Sequence, residues 1–160
     1  MTAHPAPAPT PPQLEFLAEL TVSVATPLDA GPTPSGHHRI VPITGGTVVG
    51  PRLRGKVLPG GADFQVLHSP ELTELDARYA VESDDGAIIY VHNNALRYGA
   101  AADMARLNRG EDIDPSAIYF RCSLRLSTAS EKWWWLNHLV AVGAGERRPD
   151  SVRIAVFTVL

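Results

Sequence analysis

Charged and amide side chains recur within residues 58–94, a stretch whose other residues are typical of β-strands and turns. Asp63, Asp76, Arg78 and Asn93 stand where a purely structural strand would carry Thr, Val or Ser. A carboxylate can take or give a proton, and a guanidinium can stabilise a negative charge that develops on oxygen. These residue types therefore suit proton transfer without a cofactor, provided that the fold brings them to one side of a sheet.

The turn at Asp85–Gly86 decides which of these side chains share a face, because Asp-Gly is a strong hairpin signal. A two-residue turn places Arg78 opposite Asn93 and on the same face as Asp76, whereas a three-residue turn shifts the register by one. Two interpretations of the Asp76/Arg78 pair stay open. An exposed pair would contribute under about 1 kcal/mol. A pair inside a barrel would be costly unless fully hydrogen-bonded, and would then indicate a ligand site.

Further candidates for ligand contacts lie at other points of the chain. Asp63 follows two glycines at the start of a strand, so it either bonds its own turn or presents a carboxylate at a barrel mouth. Arg121 would meet an anionic or enolate-like oxygen, or pair with Asp76. On a strand, Trp135 and Asn137 would point the same way, and an aromatic ring beside an amide suits a flat organic ligand. A packed Trp beside a turn-forming Asn is the alternative.

Composition narrows the class of protein. The 160 residues suit one domain with one core, and the net charge of -3, without a basic stripe, disfavours a nucleic-acid partner. The six histidines are dispersed and phosphate-binding glycine loops are missing, so neither a metal nor another cofactor is expected. The single cysteine, Cys122, excludes an intrachain disulfide and indicates a reducing cytoplasm, and its apolar neighbours predict an inert thiol.

Period-two alternation between turn residues predicts about nine strands and a single short helix within residues 96–115, which ends near Gly110. The paired glycines Gly45–Gly46 predict a bulge, a bend or a close backbone approach to a ligand within the second strand. Many short strands at regular spacing are typical of an antiparallel barrel or sandwich. The predicted strands are residues 13–26, 39–49, 53–58, 63–68, 74–82, 87–93, 118–126, 136–142 and 152–159.

The first residues differ in composition from the rest. Residues 1–12 are rich in Pro and Ala and lack the basic and apolar regions of a signal peptide, so they predict a flexible tail before a single domain at 13–160. No segment approaches the roughly 18 apolar residues needed to cross a bilayer, so no membrane association is expected.

Seven short motifs stand in one order along the chain. They are 43–46 (ITGG), 50–51 (GP), 58–63 (LPGGAD), 76–79 (DARY), 84–86 (DDG), 119–121 (YFR) and 135–137 (WLN). Together they resemble the bacterial and fungal DUF3237 family, also called UPF0311, over residues 14–160. The resemblance implies a calycin-like barrel, related in shape to lipocalins, and it favours the interior position for Asp76 and Arg78. It implies little about activity.

The sequence therefore predicts an all-β protein, a single antiparallel calycin- or lipocalin-like barrel of about 8–10 strands with one short helix. We expect it to bind a small, largely apolar, oxygenated metabolite, and to catalyse cyclisation, isomerisation, hydration or dehydration if it is an enzyme. The alternatives are a non-catalytic carrier or sensor, and a scaffold homodimer joined through Trp133 and Trp134. The candidate catalytic residues are Asp63, Asp76 and Arg78, and the candidate ligand-binding residues are Tyr79, Asn93, Arg121, Trp135 and Asn137.

Overall fold

The computed structural model describes residues 7–160, in which ten strands and one α-helix account for most of the chain. The α-helix is α1, Ala101–Asn108. Short 3-10 helices cover Pro115–Ala117 and Trp134–His138. The strands are β1 (Leu14–Val24), β2 (Leu28–Thr33), β3 (Gly36–Val49), β4 (Gly55–Val57), β5 (Ala62–Leu67), β6 (Leu72–Ser83), β7 (Ile88–Gly99), β8 (Ile118–Thr128), β9 (Ala141–Arg147) and β10 (Ser151–Val159).

The strands form one antiparallel sheet that closes into a barrel of eight positions. Closure occurs at β1, which pairs with β10 on one side and with β3 on the other. The short strands β4 and β5 follow one another in a single position between β3 and β6. The predicted all-β barrel with one short helix is confirmed, and closure leaves few unpaired strand edges.

The barrel is apolar at one end and polar at the other. Inward side chains alternate with outward ones, and those near the apolar end are fully buried, as Leu17, Ile89 and Leu124 show at 1% exposure or less. At the opposite end α1 packs Met104 and Leu107 beside β7 and β8. This asymmetry leaves the polar end, beside α1, as the place where a ligand would enter.

Two segments that the sequence predicts as loops contain strands instead, and each difference has a structural cause. The Pro- and Gly-rich segment predicted as a loop at 27–36 contains β2, which pairs only with β3, and Pro32 is tolerated on such an edge strand. The loop predicted at 143–150 is mostly β9, because its glycines serve close packing rather than a turn. A Cβ on Gly145 would lie 2.7 Å from the Phe120 ring.

The paired glycines of β3 form the predicted bulge. The register between β1 and β3 shifts from Ser23 opposite Gly45 to Val24 opposite Ile43. At Gly46, with φ at +140°, a Cβ would stand 2.0 Å from the carbonyl oxygen of Thr21. The close approach predicted at these glycines is therefore to the neighbouring strand.

The helix is shorter than the predicted interval, because residues 96–99 continue β7. It stops before Gly110, whose φ of +81° is the left-handed conformation expected after a helix end. The predicted N-terminal tail falls partly on residues 1–6, which lie outside the described residues. Residues 7–13 are irregular and exposed. No helix in the described part of the chain is long and apolar enough to cross a bilayer.

Candidate functional site

The interior of the barrel is arranged in layers, each formed by residues that are in register on adjacent strands. The Asp63 layer crosses five strands and consists of Val41, Asp63, Ala77, Asn93 and Leu124. The layer toward the apolar end contains Tyr79 and Val91, and the layer toward the polar end contains Arg39 and Gln65. Polar side chains thus form a column along one wall of an otherwise apolar interior.

Asp63 lies in this column with its carboxylate turned inward. Its Oδ2 accepts a hydrogen bond of 2.8 Å from Nε2 of Gln65, while its Oδ1 is buried and has no partner among residues 7–160. Burial raises the pKa of Asp63, against the opposing effects of the Gln65 hydrogen bond and the Arg97 charge. The carboxyl group therefore holds a proton more readily than an exposed aspartate, which suits a proton donor and acceptor.

Tyr79 and Asn93 border the same space. The Tyr79 hydroxyl and the Asn93 side-chain oxygen are buried without a hydrogen-bond partner in the described part of the chain. Burial raises the pKa of Tyr79, so its hydroxyl keeps the proton and can donate it in a hydrogen bond. An unpartnered buried polar group is costly, so both groups are candidates for hydrogen bonds to a ligand oxygen.

Two spaces lie beside this column, and Val24 and Arg147 border both. The interior cavity, lined by Asp63, Tyr79 and Asn93, has a volume of about 40 Å³, room for two or three waters at roughly 15 Å³ each. The mouth cleft, whose lining includes Asp29, Arg39 and Asp150, has a volume of about 800 Å³, within the range of small-molecule sites. Arg147 borders both spaces, so a molecule in the cleft could extend one polar end toward Asp63.

The predicted interior positions of Asp76 and Arg78 are wrong. The hairpin turn takes three residues, 84–86, so Arg78 pairs with His92, and Asn93 pairs with Ala77. Asp76 and Arg78 therefore face outward, with side chains 38% and 51% exposed. Asp76 accepts hydrogen bonds from Arg78 at 3.3 Å and contacts His92 at 2.8 Å. Burial raises the pKa of Asp76, but its bonds to Arg78 and His92 outweigh burial and lower the pKa overall. The three residues form an exposed ion-pair network.

Arg121 also lies outside the barrel. It is exposed on β8, its guanidinium stands 5.2 Å from the centre of the Tyr119 ring, and it donates to the Phe120 carbonyl. Its predicted contact with an interior ligand is therefore wrong, as is the alternative pair with Asp76, since Asp76 bonds Arg78 and His92.

Trp135 and Asn137 lie on a 3-10 helix, so the strand predicted from residue 136 begins too early. Asn137 bonds the backbone of Thr128 through both its side-chain atoms, at 2.9 and 3.0 Å, and Trp135 stacks beneath the Arg52 guanidinium at 4.3 Å. Both residues therefore stabilise the connection between β8 and β9, and neither borders the interior cavity.

The Trp133 side chain is buried, with 7% exposed, so it is not part of a surface patch. Its indole N–H donates to the carboxylate of Asp85, which also pairs with Lys132 at 2.7 Å. Trp134 is 53% exposed. The aromatic patch proposed for a dimer interface is thus reduced to one indole ring.

Three arginines at the polar end were not predicted as site residues from the sequence. Arg39, Arg97 and Arg147, called the arginine cluster below, lie in or beside the inward-facing column. The alternation of side chains along a strand predicts that Arg97 faces inward, because Arg97 is four residues after Asn93 on one strand and so faces the same way. No group of three metal-ligating side chains occurs within residues 7–160.

A family model for a protein of unknown function, DUF3237, matches residues 12–159 of this chain. The chain belongs to this family. A UPF0311 relative from Rhodopseudomonas palustris is 42% identical over 148 residues, which are 92% of this chain and 97% of the relative. The crystal structure of a Rhodopseudomonas palustris protein of unknown function superposes with a TM-score of 0.88 at 41% identity, covering 96% of this chain and 99% of that one.

A DUF3237 relative with a named activity is more distant. The hydroalkoxylation enzyme phnH of Penicillium herquei is 31% identical over 137 residues, 84% of this chain and 75% of the enzyme. A crystal structure of an enzyme from the same fungus has a TM-score of 0.72 at 23% identity over 97% of this chain and 99% of that one, and so shares the fold. Relatives of this DUF3237 protein thus include a fungal enzyme.

Proposed function

We propose that this DUF3237 protein is a cofactor-free acid–base enzyme that acts on a small oxygenated organic molecule, with Asp63 as its proton donor and acceptor. The observation that carries this proposal is the buried Oδ1 of Asp63, which has no hydrogen-bond partner among residues 7–160 and borders a cavity that shares Arg147 with the mouth cleft. Burial raises the pKa of Asp63, which shifts the carboxyl group toward the protonated form that a general acid needs.

The reaction class that fits best is addition of a hydroxyl group across a carbon–carbon double bond within one molecule. Asp63 gives its proton to one alkene carbon, the substrate oxygen bonds to the other, and the hydroxyl proton returns to Asp63. The product is an isomer of the substrate, so no electrons leave or enter. Tyr79 donates a hydrogen bond, and Asn93 can accept one from the substrate hydroxyl before ring closure.

Two further observations support this reaction. The named activity of the Penicillium herquei relative is a hydroalkoxylation, which is this class of addition. The wall around Asp63 is otherwise apolar, and includes Val22, Val41 and Ile154, so it suits a hydrocarbon skeleton and excludes competing water. Ring closure by such an addition is one of the cyclisations expected from the acid–base groups of the sequence.

The test uses ortho-alkenyl phenols, which close to oxygen heterocycles of equal mass. Purified protein is incubated with them in deuterium oxide, and products are separated by chiral chromatography with mass spectrometry. We expect one enantiomer in excess, carrying deuterium on the former alkene carbon. Asp63→Asn should reduce the rate by at least about a hundredfold, whereas Asp112→Asn, an exposed control, should not.

Two outcomes would reject the proposal. Full turnover by Asp63→Asn would show that another group moves the proton. Stoichiometric binding of the phenols without any isomer formed would favour the carrier or sensor, which needs the same pocket but no reactive carboxyl group.

A further inference from the structure

Three arginines lie close together at the polar end: Arg39 and Arg147 line the mouth cleft, and Arg97 is buried within range of both their charges. Arg39 is 7% exposed and stands beside Gln65, and Arg97 is 2% exposed and lies one layer closer to the polar end. Arg147 ends β9 and lines both spaces. Burying the charges of Arg39 and Arg97 beside the partly buried Arg147 opposes folding unless a negative charge accompanies them.

Several donors of this arginine cluster are unused. Nε of Arg39 and both Nε and Nη1 of Arg97 are buried without a hydrogen-bond partner among the described residues 7–160. The remaining Arg97 contact is weak, since its Nη2 is 3.4 Å from Oδ1 of Asn108. The Arg97 guanidinium also stands 5.7 Å from the centre of the Phe120 ring. These donors are therefore available to an acceptor that the chain itself does not supply.

The carboxylates near the arginine cluster balance its charge only in part: Asp150 lines the mouth cleft with Arg147 and interacts with its charge. Asp63 is the interior carboxyl group that interacts with the charge of Arg97. Its Oδ2 already accepts a hydrogen bond from Gln65, and burial raises its pKa, which favours its neutral form. Asp29, across the cleft, bonds His37 at 2.7 Å and the Gly31 N–H at 2.8 Å. Burial and the neighbouring arginines lower the pKa of Arg97 to about 10, which still leaves it charged at neutral pH.

We propose that the arginine cluster is a subsite for a carboxylate group carried by the ligand. A planar carboxylate matches the edge of a guanidinium and takes two parallel hydrogen bonds from it. The apolar residues Val24 and Val152 beside Arg147 suit a molecule with one anionic end and an otherwise hydrocarbon body. The inference deepens the proposed function: with its carboxylate at the arginine cluster, the substrate would direct its reactive end toward Asp63.

The first experiment compares the binding of cinnamate and of its neutral analogue cinnamamide to the full chain by titration calorimetry. We expect cinnamate to bind at least about tenfold more tightly, as charge-assisted bonds to a buried guanidinium predict. Equal affinity would overturn the proposal. Because this comparison needs no substitution, it tests the subsite even where a buried-arginine variant does not fold.

The second experiment locates the carboxylate. Arg39→Met and Arg97→Met should each remove most of the preference for cinnamate and leave cinnamamide binding unchanged, while the exposed Arg125→Met should bind like the wild type. An unchanged preference in both cluster variants would overturn the assignment. So would inorganic phosphate that displaces cinnamate at equal concentration, because the site would then be a general anion site.

Asp63→Asn separates this inference from the proposed function. The variant keeps the three arginines and removes a carboxyl group, so cinnamate should bind at least as tightly as to wild type. Retained binding with lost turnover supports both proposals. Lost carboxylate preference with retained turnover overturns the subsite alone, and carboxylate binding without turnover in the wild type overturns the enzyme alone.

Discussion

Asp63 and Asn93 lie in one layer of the barrel interior and are separated by a single residue, Ala77 of the intervening strand. Two strand spacings place their backbones roughly 10 Å apart. The methyl group of Ala77 occupies little of that width, so the space between carboxyl and amide is part of the interior cavity. The small side chain of Ala77 thus leaves room for a ligand between the two polar side chains.

Ala77→Leu should block this site without disturbing the fold. The larger side chain extends into the cavity between Asp63 and Asn93, where we expect at least about tenfold weaker ligand binding and an unchanged or higher midpoint of urea unfolding. Ala80→Leu, on the outer face of the same strand, is the matched control. Full binding by the Ala77 variant would show that the ligand does not reach this layer.

The free energy of unfolding should depend on pH through Asp63. Burial raises the pKa of Asp63 above its ordinary value of 3.8, against the lowering effects of the Gln65 hydrogen bond, the Arg97 charge and the Asp76 backbone; the Asp76 charge is the smallest contribution and raises the pKa. The folded state therefore keeps a proton that the unfolded chain has lost, so stability decreases as pH rises from 3.8 to the raised pKa.

Asp63→Asn removes that titration. Relative to the variant, the wild type should lose stability across this pH interval and then stay level, as urea unfolding between about pH 4 and about pH 8 would measure. Parallel stability curves for the two proteins would contradict a raised pKa.

Gly46→Ala should be strongly destabilising. The added Cβ would stand 2.0 Å from the Thr21 carbonyl oxygen, at a φ of +140° that other residues rarely adopt. We expect a loss of about 3 kcal/mol or more in the free energy of unfolding. Gly31→Ala is the control: its φ is +71°, but nothing described lies within 4 Å of its Cβ, so the loss should be about 1–2 kcal/mol.

Cys122 should be unreactive in the folded protein. It is 5% exposed, and burial raises the pKa of its thiol to about 11, so little thiolate exists at neutral pH. A disulfide-forming colour reagent should therefore label it slowly in buffer and fast in denaturant. Rapid labelling without denaturant would show that the barrel opens locally at β8.

The barrel could be predicted because the features that determine its strands are local in the sequence. Alternating apolar residues, glycines at turns and a single alanine-rich segment determine strands and one helix, and regular short strands then close into a barrel. Asn93 was expected on the inward face and lies there, whereas Tyr79 shares that face only because of a register that the sequence did not predict. The inert state expected of Cys122 likewise followed from its apolar neighbours.

The tertiary structure decided which other polar residues belong to the site. One residue in the turn at 84–86 changed the register, and because strand faces alternate with a period of two, that residue moved Asp76 and Arg78 from the interior to the outside. The arginine cluster depends on contacts between β3, β7 and β9, which are far apart in sequence. The sequence by itself therefore determined the strands and part of the polar column, while register and barrel closure decided what the column encloses.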